Sequence, residues 1–337
     1  MSVRVGISGF GLAGRYFHGA LLGAVGFDVV GAVTRNSDRI SHLAIDFPGA
    51  QAVSTIEELL ALGIDLLVVA SGNSSHASDA IAGLNAGVPV VVDKPMGRTL
   101  AETEEIIKVA TKTGLPVTTY FNRLWDSDTL TIKKALTQGD LGKVFRFDSR
   151  FERFRPEPNP SSWRERSTPD EGGGNLLDLQ PHMVSTALHL FGPAKLVSAS
   201  VRSIRGYADD DVVLVLKHES GVDSYLSASA IIGAPGPRVR VNGDLASLVI
   251  SDLDPQEGLL RAGKKPIDGL WKEDVTSPAL IYRGDVVENY PSEAGSYQSF
   301  YVQVLAAMKG EAPWPVSIDQ IIAVAKIIDE ARAISIR

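Results

Sequence analysis

The sequence predicts an α/β protein with two regions. The first is a doubly wound parallel sheet of Rossmann type; the second is an α/β region whose sheet is open and largely antiparallel. Three observations carry that expectation. Apolar strand-like runs alternate with helical stretches through residue 122. The first run ends in three glycines spaced Gly9-x-Gly11-x-x-Gly14. Beyond residue 143, strand-like segments follow one another with few helices between them. At 337 residues the chain exceeds one ordinary domain. The change of rhythm sets the expected domains at 1–122 and 123–337.

In the opening segment, the alternating residues Val3, Val5 and Ile7 read as a strand and Tyr16 to Leu22 as a helix. Glycines between a strand and a helix form a dinucleotide-binding turn when each has its own task. Gly9 permits the tight turn, Gly11 lets the backbone approach a pyrophosphate, and Gly14 lets helix and strand pack closely. The helix N-terminus adds free N–H groups and a positive dipole end.

Phe27 to Val33 is the next apolar run, ending at Thr34-Arg35-Asn36. A site for NAD usually carries an acid here, to bond the adenosine ribose. A hydroxyl at Thr34 and guanidinium groups at Arg35 and Arg39 suit a 2′-phosphate instead, which favours NADP with NAD as the alternative. The plainer reading makes both arginines solvated surface charges.

Ser54 to Leu62 reads as a helix and Ile64 to Ala70 as a buried strand. The strand feeds the turn Ser71-Gly72-Asn73-Ser-Ser-His76. Turns at the carboxyl ends of parallel strands are where such sheets bind ligands. His76 is either a cofactor contact or a polar cap of the helix Ala77 to Ala86. Val88 to Val92 ends in Asp93-Lys94-Pro95, so a lysine stands at a strand's carboxyl end, facing a crevice. Thr99 caps a helix reaching Thr113, and Leu115 to Tyr120 is the last strand of the region.

Asp128 to Gln138 is a helix and Lys143 to Phe154 a long strand. Residues 155–174, rich in proline, glycine and charge, read as an ordered loop over a site or a mobile lid. Three glycines, 172–174, precede Asp178, Pro181 and His182. Pro181 suits the first helical position, which puts His182 in the first turn and Asp178 just before it. A carboxylate near a first-turn histidine can yield a base near neutral pH; the alternative is a capping histidine. Five further strands follow between Lys195 and Ile250. Residues 251–290 read as irregular, and Tyr297 to Lys309 and Ser317 to Arg332 as closing helices.

Composition excludes several classes of function. There is no cysteine, so thiolate chemistry and cysteine-bound zinc are absent. The net charge of −7 and the lack of a basic stripe argue against nucleic acid. No metal-ligand spacing is visible. No apolar run spans a bilayer and no leader precedes the first strand, which sets the expectation of a cytoplasmic protein without a membrane partner.

These segments together resemble the family of glucose–fructose oxidoreductase and inositol dehydrogenase. The marks are Gly9-x-Gly11-x-x-Gly14, Asp93-Lys94-Pro95, and Asp178-x-x-x-His182 in a Gly-Gly-Gly…Leu-Phe-Gly frame. Asn122-Arg-Leu-Trp, Trp163-Arg164 and Gly-Ser-Tyr297 narrow the likeness to its NADP-dependent scyllo-inositol dehydrogenases. The resemblance implies Lys94, Asp178 and His182 as the catalytic set. It implies cofactor contacts at Gly9, Phe10, Gly11, Leu12, Ala13, Gly14, Thr34, Arg35, Arg39, Ser71, Gly72, Asn73, His76, Asp93, Lys94, Asn122, Trp163, Arg164 and Tyr297. It implies a polyol or sugar substrate and a homodimer or homotetramer formed through the C-terminal sheet. Two other readings remain: a non-catalytic dinucleotide sensor, and an NAD-dependent glycosidase on the same fold. Departures from the family pattern are Asp93 in place of glutamate, Gln180-Pro181 before the histidine, and Ser185 at a downstream acidic position.

Overall fold

The computed structural model describes residues 2–159, 162–266 and 278–335. The chain divides into two compact units, neither of them continuous in sequence. One is drawn from Met1–Tyr120, Gln256–Leu270 and Tyr297–Ile322, the other from Phe121–Pro255, Trp271–Ser296 and Ala323–Arg337.

The first unit holds a six-stranded sheet of β1 (Arg4–Ser8), β2 (Asp28–Val33), β3 (Gln51–Val53), β4 (Leu66–Val69), β5 (Val90–Asp93) and β6 (Val117–Tyr120). Its order is β3-β2-β1-β4-β5-β6, with every pair parallel. The order reverses between β1 and β4, the switch point at which such sheets open for ligands. All four residues of β4 are buried, as the continuous apolar runs require of strands covered on both faces. Thr99 caps the helix Leu100–Thr113 by accepting from Glu102 N at 3.1 Å, and Gly114 ends it at φ 69°. β3 and the helix Ser37–Asp46 are additions to the expected elements; β3 is three residues long and mostly exposed.

The second unit holds an eight-stranded sheet: β7 (Val144–Glu152), β8 (Ala194–Arg202), β9 (Asp211–His218), β10 (Asp223–Ser229), β11 (Val239–Gly243), β12 (Ser247–Ile250), β13 (Ala279–Arg283) and β14 (Val286–Tyr290). The order is β14-β13-β12-β11-β7-β10-β9-β8. The sheet is mixed: β7 pairs parallel to β10 and the remaining pairs are antiparallel. The reason is topological. After β7 the chain leaves the sheet for the helix Gln180–Phe191 and returns at the edge strand β8, so β10 reaches β7 running in the same direction. That helix packs on one sheet face. Phe191 meets Phe147 at 5.2 Å between ring centroids, and Gln180 Nε2 donates to Val212 O and Leu226 O, each at 3.2 Å.

The expectation of irregular structure over residues 251–290 fails in part. A helix, Gln256–Arg261, and the hairpin β13–β14 lie there, while 267–277 are outside the described residues. The hairpin turns at Gly284, φ 62°, and four of the five residues of β14 are exposed, so no apolar alternation marks it.

Candidate functional site

At the carboxyl edge of the first sheet the glycine turn is fixed by close contact. Gly9 has φ +90°, and a Cβ there would stand 2.7 Å from Ser71 Cα and 2.8 Å from Ala70 O. A Cβ on Gly14 would stand 2.0 Å from Gly9 O, so only glycine fits where the helix leaves. Gly11 differs: a Cβ there would stand 3.7 Å from the Arg39 guanidinium, an ordinary contact distance. Leu12 is exposed, whereas the Phe10 ring is buried edge-on against Phe47. The following helix starts with π-helical turns, Ala13–Gly19, and continues as Ala20–Val25.

After β2, Thr34 is buried and its Oγ1 accepts from Asn36 N at 3.4 Å. Asn36 Oδ1 accepts from Arg39 N at 3.0 Å and so starts the helix Ser37–Asp46. This turn leaves Arg35 and Arg39 exposed and folds Arg39 back over Gly11. A carboxylate first appears at Asp38, inside the helix.

The turn after β4 is braced from below. Ser8 Oγ and Ser71 Oγ both donate to Asp79 Oδ2, at 2.6 and 2.8 Å. His76 is 1% exposed, and both ring nitrogens face backbone carbonyls: Nδ1 is 2.7 Å from Pro95 O and Nε2 is 3.2 Å from Ser71 O. A carbonyl can only accept, so at 2.7 Å Nδ1 carries its proton toward Pro95 O. His76 therefore ties the Ser71 turn to the Lys94–Pro95 turn. Gly72 is exposed and Asn73 half-buried above it.

β5 delivers Asp93 and Lys94, both half-buried, followed by a cis peptide to Pro95. Asp93 Oδ1 accepts from Lys94 N at 2.8 Å and lies 3.8 Å from His18 Nε2. Burial pushes the Asp93 carboxyl up, but His18 and the Lys94 ammonium outweigh it and hold the group at about 2. The other nitrogen of His18, Nδ1, is 2.6 Å from Tyr301 OH. Neither His18 nor Tyr301 is marked by any sequence motif. The one available signal was a histidine inside an otherwise apolar helix stretch.

In the second unit, the three glycines thread a tight passage. A Cβ on Gly173 would stand 2.1 Å from Ser167 O; one on Gly174, at φ +92°, would stand 2.0 Å from Asp209 Oδ1. Asp209 accepts from Leu176 N at 2.7 Å and starts the one-turn helix Asn175–Asp178. Burial pushes the Asp209 carboxyl up to about 6, against the opposing pull of the Leu176 N–H and of Arg332. Asp178 thus ends its own short helix, a refinement of its expected place before the next one. Arg164 Nε stands 3.3 Å from Asp178 Oδ1. His182 lies in the first turn of Gln180–Phe191 with Pro181 beside it, and is 7% exposed.

Asn122 is buried at the head of the turn Asn122–Trp125. Trp163 starts the short helix Trp163–Arg166, and its side chain lies outside the described residues. Tyr297 belongs to the first unit, where it has no accessible surface and its N–H donates to Gln256 Oε1 at 2.7 Å. In this conformation it offers no surface to a cofactor.

The first unit therefore gathers the glycine turn, Thr34, Arg39, Ser71, His76, Asp93 and Lys94 along one sheet edge. Asn122, Arg164, Asp178 and His182 are carried by the second unit. Among the described residues no cluster of three His, Asp or Glu side chains could hold a metal. No helix of the described residues is long and apolar enough to cross a membrane.

Comparison with known proteins agrees with this architecture. Residues 3–121 match the oxidoreductase family with an NAD-binding Rossmann fold, and residues 129–249 match the GFO/IDH/MocA C-terminal domain. The chain is 33% identical over 338 residues to the NADP(+)-dependent scyllo-inositol 2-dehydrogenase IolW of Bacillus subtilis, covering 98% of this chain and 93% of that protein. It is 33% identical to the uncharacterized oxidoreductase YdgJ of Escherichia coli, covering 97% of this chain and 95% of the relative. The solved structure of yvaA from Bacillus subtilis superimposes with a TM-score of 0.90 at 32% identity, covering 99% and 96% of the two chains. With its glycine turn, its parallel sheet and its mixed second sheet, the chain belongs to the GFO/IDH/MocA family of NAD(P)-binding oxidoreductases.

Proposed function

We propose that the protein is an NADP-preferring dehydrogenase that interconverts a secondary alcohol and a ketone on a cyclic polyol or sugar. The observation that carries the cofactor choice is the Arg39 guanidinium, which lies 3.7 Å from where a Cβ on Gly11 would stand, at the turn expected to meet a pyrophosphate. With Arg35 beside it and Thr34 in place of an acid, the end of β2 suits a 2′-phosphate. The similarity to IolW supports the substrate class.

A bound dinucleotide supplies hydride transfer; the remaining work falls to this chain. In our reading His182 takes the hydroxyl proton. Asp178 orients that imidazole or holds a substrate hydroxyl, and Arg164 fixes the carboxylate from the other side. Lys94 bonds the reacting oxygen and stabilises its negative charge.

The test is reduction of NADP+ and of NAD+ across a panel of inositols and sugars. We expect turnover with NADP+ and a cyclic polyol. His182→Ala should lower kcat by about 100-fold or more, the usual scale for losing a general base, while NADPH affinity stays within about twofold. Intact turnover in that variant would remove His182 from its role. No absorbance change with any substrate would favour the sensor.

A further inference from the structure

We infer that His18 is a positioning residue for Lys94, acting through Asp93. The inference rests on the reading of Lys94 given above, and it uses groups of the first unit alone.

His18 has no solvent-accessible surface. It sits in the π-helical stretch Ala13–Gly19, where Ala20 N donates to Arg15 O, five residues back. Such widened turns change the direction in which a side chain leaves a helix, and they recur at functional sites. Here the ring is enclosed by Tyr120 of β6, at 4.6 Å between centroids, and by Tyr301 of the helix Gln298–Met308, at 6.1 Å. A purely apolar side chain would fill this space without the cost of burying two ring nitrogens. Those nitrogens face two polar groups: Tyr301 OH at 2.6 Å from Nδ1 and Asp93 Oδ1 at 3.8 Å from Nε2.

The proton assignment follows from the neighbours. The Tyr301 phenol is held well above its ordinary range by burial, with Tyr120 and Asp93 adding to it, so it keeps its O–H. Asp93 is ionised at any working pH. The arrangement that satisfies both has Tyr301 donating to Nδ1 and the ring N–H on Nε2, pointing at the carboxylate. Asp93 Oδ1 in turn accepts from Lys94 N. A chain of polar contacts thus runs from Tyr301 through His18 and Asp93 to the backbone of the lysine. The charged or titratable groups facing Asp93 are His18 from the first helix, Lys94 beside it, His76 and the Tyr301 phenol. Without His18, the half-buried carboxylate loses its inner partner and turns toward the Lys94 ammonium or solvent. The backbone hold on Lys94 goes with it.

The test uses the full-length protein with His18→Leu and His18→Gln, the latter retaining an N–H that reaches toward Asp93. Losing the imidazole that faces the Asp93 carboxylate at 3.8 Å should lower kcat by about tenfold or more in His18→Leu, with KM for NADP+ within about twofold. His18→Gln should recover most of the loss. Carbon NMR titration of the Asp93 carboxyl, without cofactor, should show its pKa rising in His18→Leu and not in His18→Gln. An unmoved Asp93 titration in a folded His18→Leu protein overturns the inference. So does a His18→Gln variant as damaged as His18→Leu, which would mark a packing role. If His18→Leu does not fold, Tyr301→Phe removes only the outer hydroxyl, and an unchanged kcat and Asp93 titration there overturn it as well. Lys94→Met separates the two readings: normal turnover in that variant ends the role of Lys94, while the Asp93 titration still reports on His18.

Discussion

Asp93 and Asp209 are displaced in opposite directions, and the difference sets how stability depends on pH. Asp93 is held at about 2 in the folded chain, below its ordinary 3.8. Its contribution, roughly 2 kcal/mol, is complete above about pH 4 and is lost as the pH falls toward 2. Asp209 is raised to about 6. Between about pH 4 and 6 the folded chain therefore binds more protons there than the unfolded chain, and stability falls as pH rises through that window. The cost, roughly 3 kcal/mol, is fully present above pH 6. Asp209→Asn should raise stability at pH 7 and flatten its slope between pH 4 and 6, as read by denaturant unfolding at a series of pH values. An unaltered slope would show that another group titrates. Legibility in the sequence follows the same residues. Lys94 and the glycines could be found because their meaning lies in short local spacing. His18 could not, because its partner Tyr301 lies 283 positions away. The turn holding His76 was legible; the two carbonyls that claim its ring were not.

Elements that carry function by backbone alone make a sharper test than side chains do. Gly14 and Gly11 stand three residues apart and should respond differently to the same methyl group. In Gly14→Ala the new Cβ meets a backbone oxygen that cannot yield, so the strand–helix packing must open. A loss of about 1–3 kcal/mol, the range for overpacking, is expected, along with loss of NADPH binding. In Gly11→Ala the atoms nearest the Cβ are the flexible end of Arg39, at 3.7 Å. That protein should keep its melting temperature within about 2 °C, the small effect of an unstrained surface change, yet lose about tenfold or more in NADPH affinity. Equal damage to stability in both would show that the two glycines are not separate devices. Among the elements themselves, buried strands such as β4 declared themselves through continuous apolar runs. The hairpin β13–β14 did not, since Val286, Val287, Glu288 and Asn289 are all exposed and carry no period. The parallel pairing of β7 with β10 was equally hidden, because strand direction depends on where the chain re-enters a sheet and not on which residues it contains.

For the whole molecule, the sheet of the second unit has a helix-covered face and another of mixed character. Along β7, Phe147, Ser149 and Phe151 are buried on the covered side, while Arg146, Asp148, Arg150 and Glu152 alternate in charge on the other. The row through Asp148 runs across neighbouring strands as Val215, Tyr225, Asp148, Arg240 and Val249. Asp148 is buried and pairs within the strand with Arg146 at 2.8 Å and Arg150 at 3.5 Å, so the face presents neutralised charges beside apolar residues, a patch that a two-fold axis can match to itself. We propose that a second copy covers it. Light scattering should give a multiple of the 36.0 kDa chain mass, and Arg240→Glu should shift it toward the monomer. A wild-type monomer would leave this face to another role.

The first unit is completed by chain that is made late. Tyr301, which closes over His18, comes from the returning segment Tyr297–Ile322, and Gln256, which receives the Tyr297 N–H, from an earlier one. A ribosome must therefore translate through residue 322 before the nucleotide-binding unit is whole. A gene fragment cut at the end of β6 encodes six strands whose histidine pocket has lost its cover. Swapping that half between relatives would have to transfer three separate stretches of code, and splicing at one junction would leave the lysine turn propped by a stranger's tyrosine or by none.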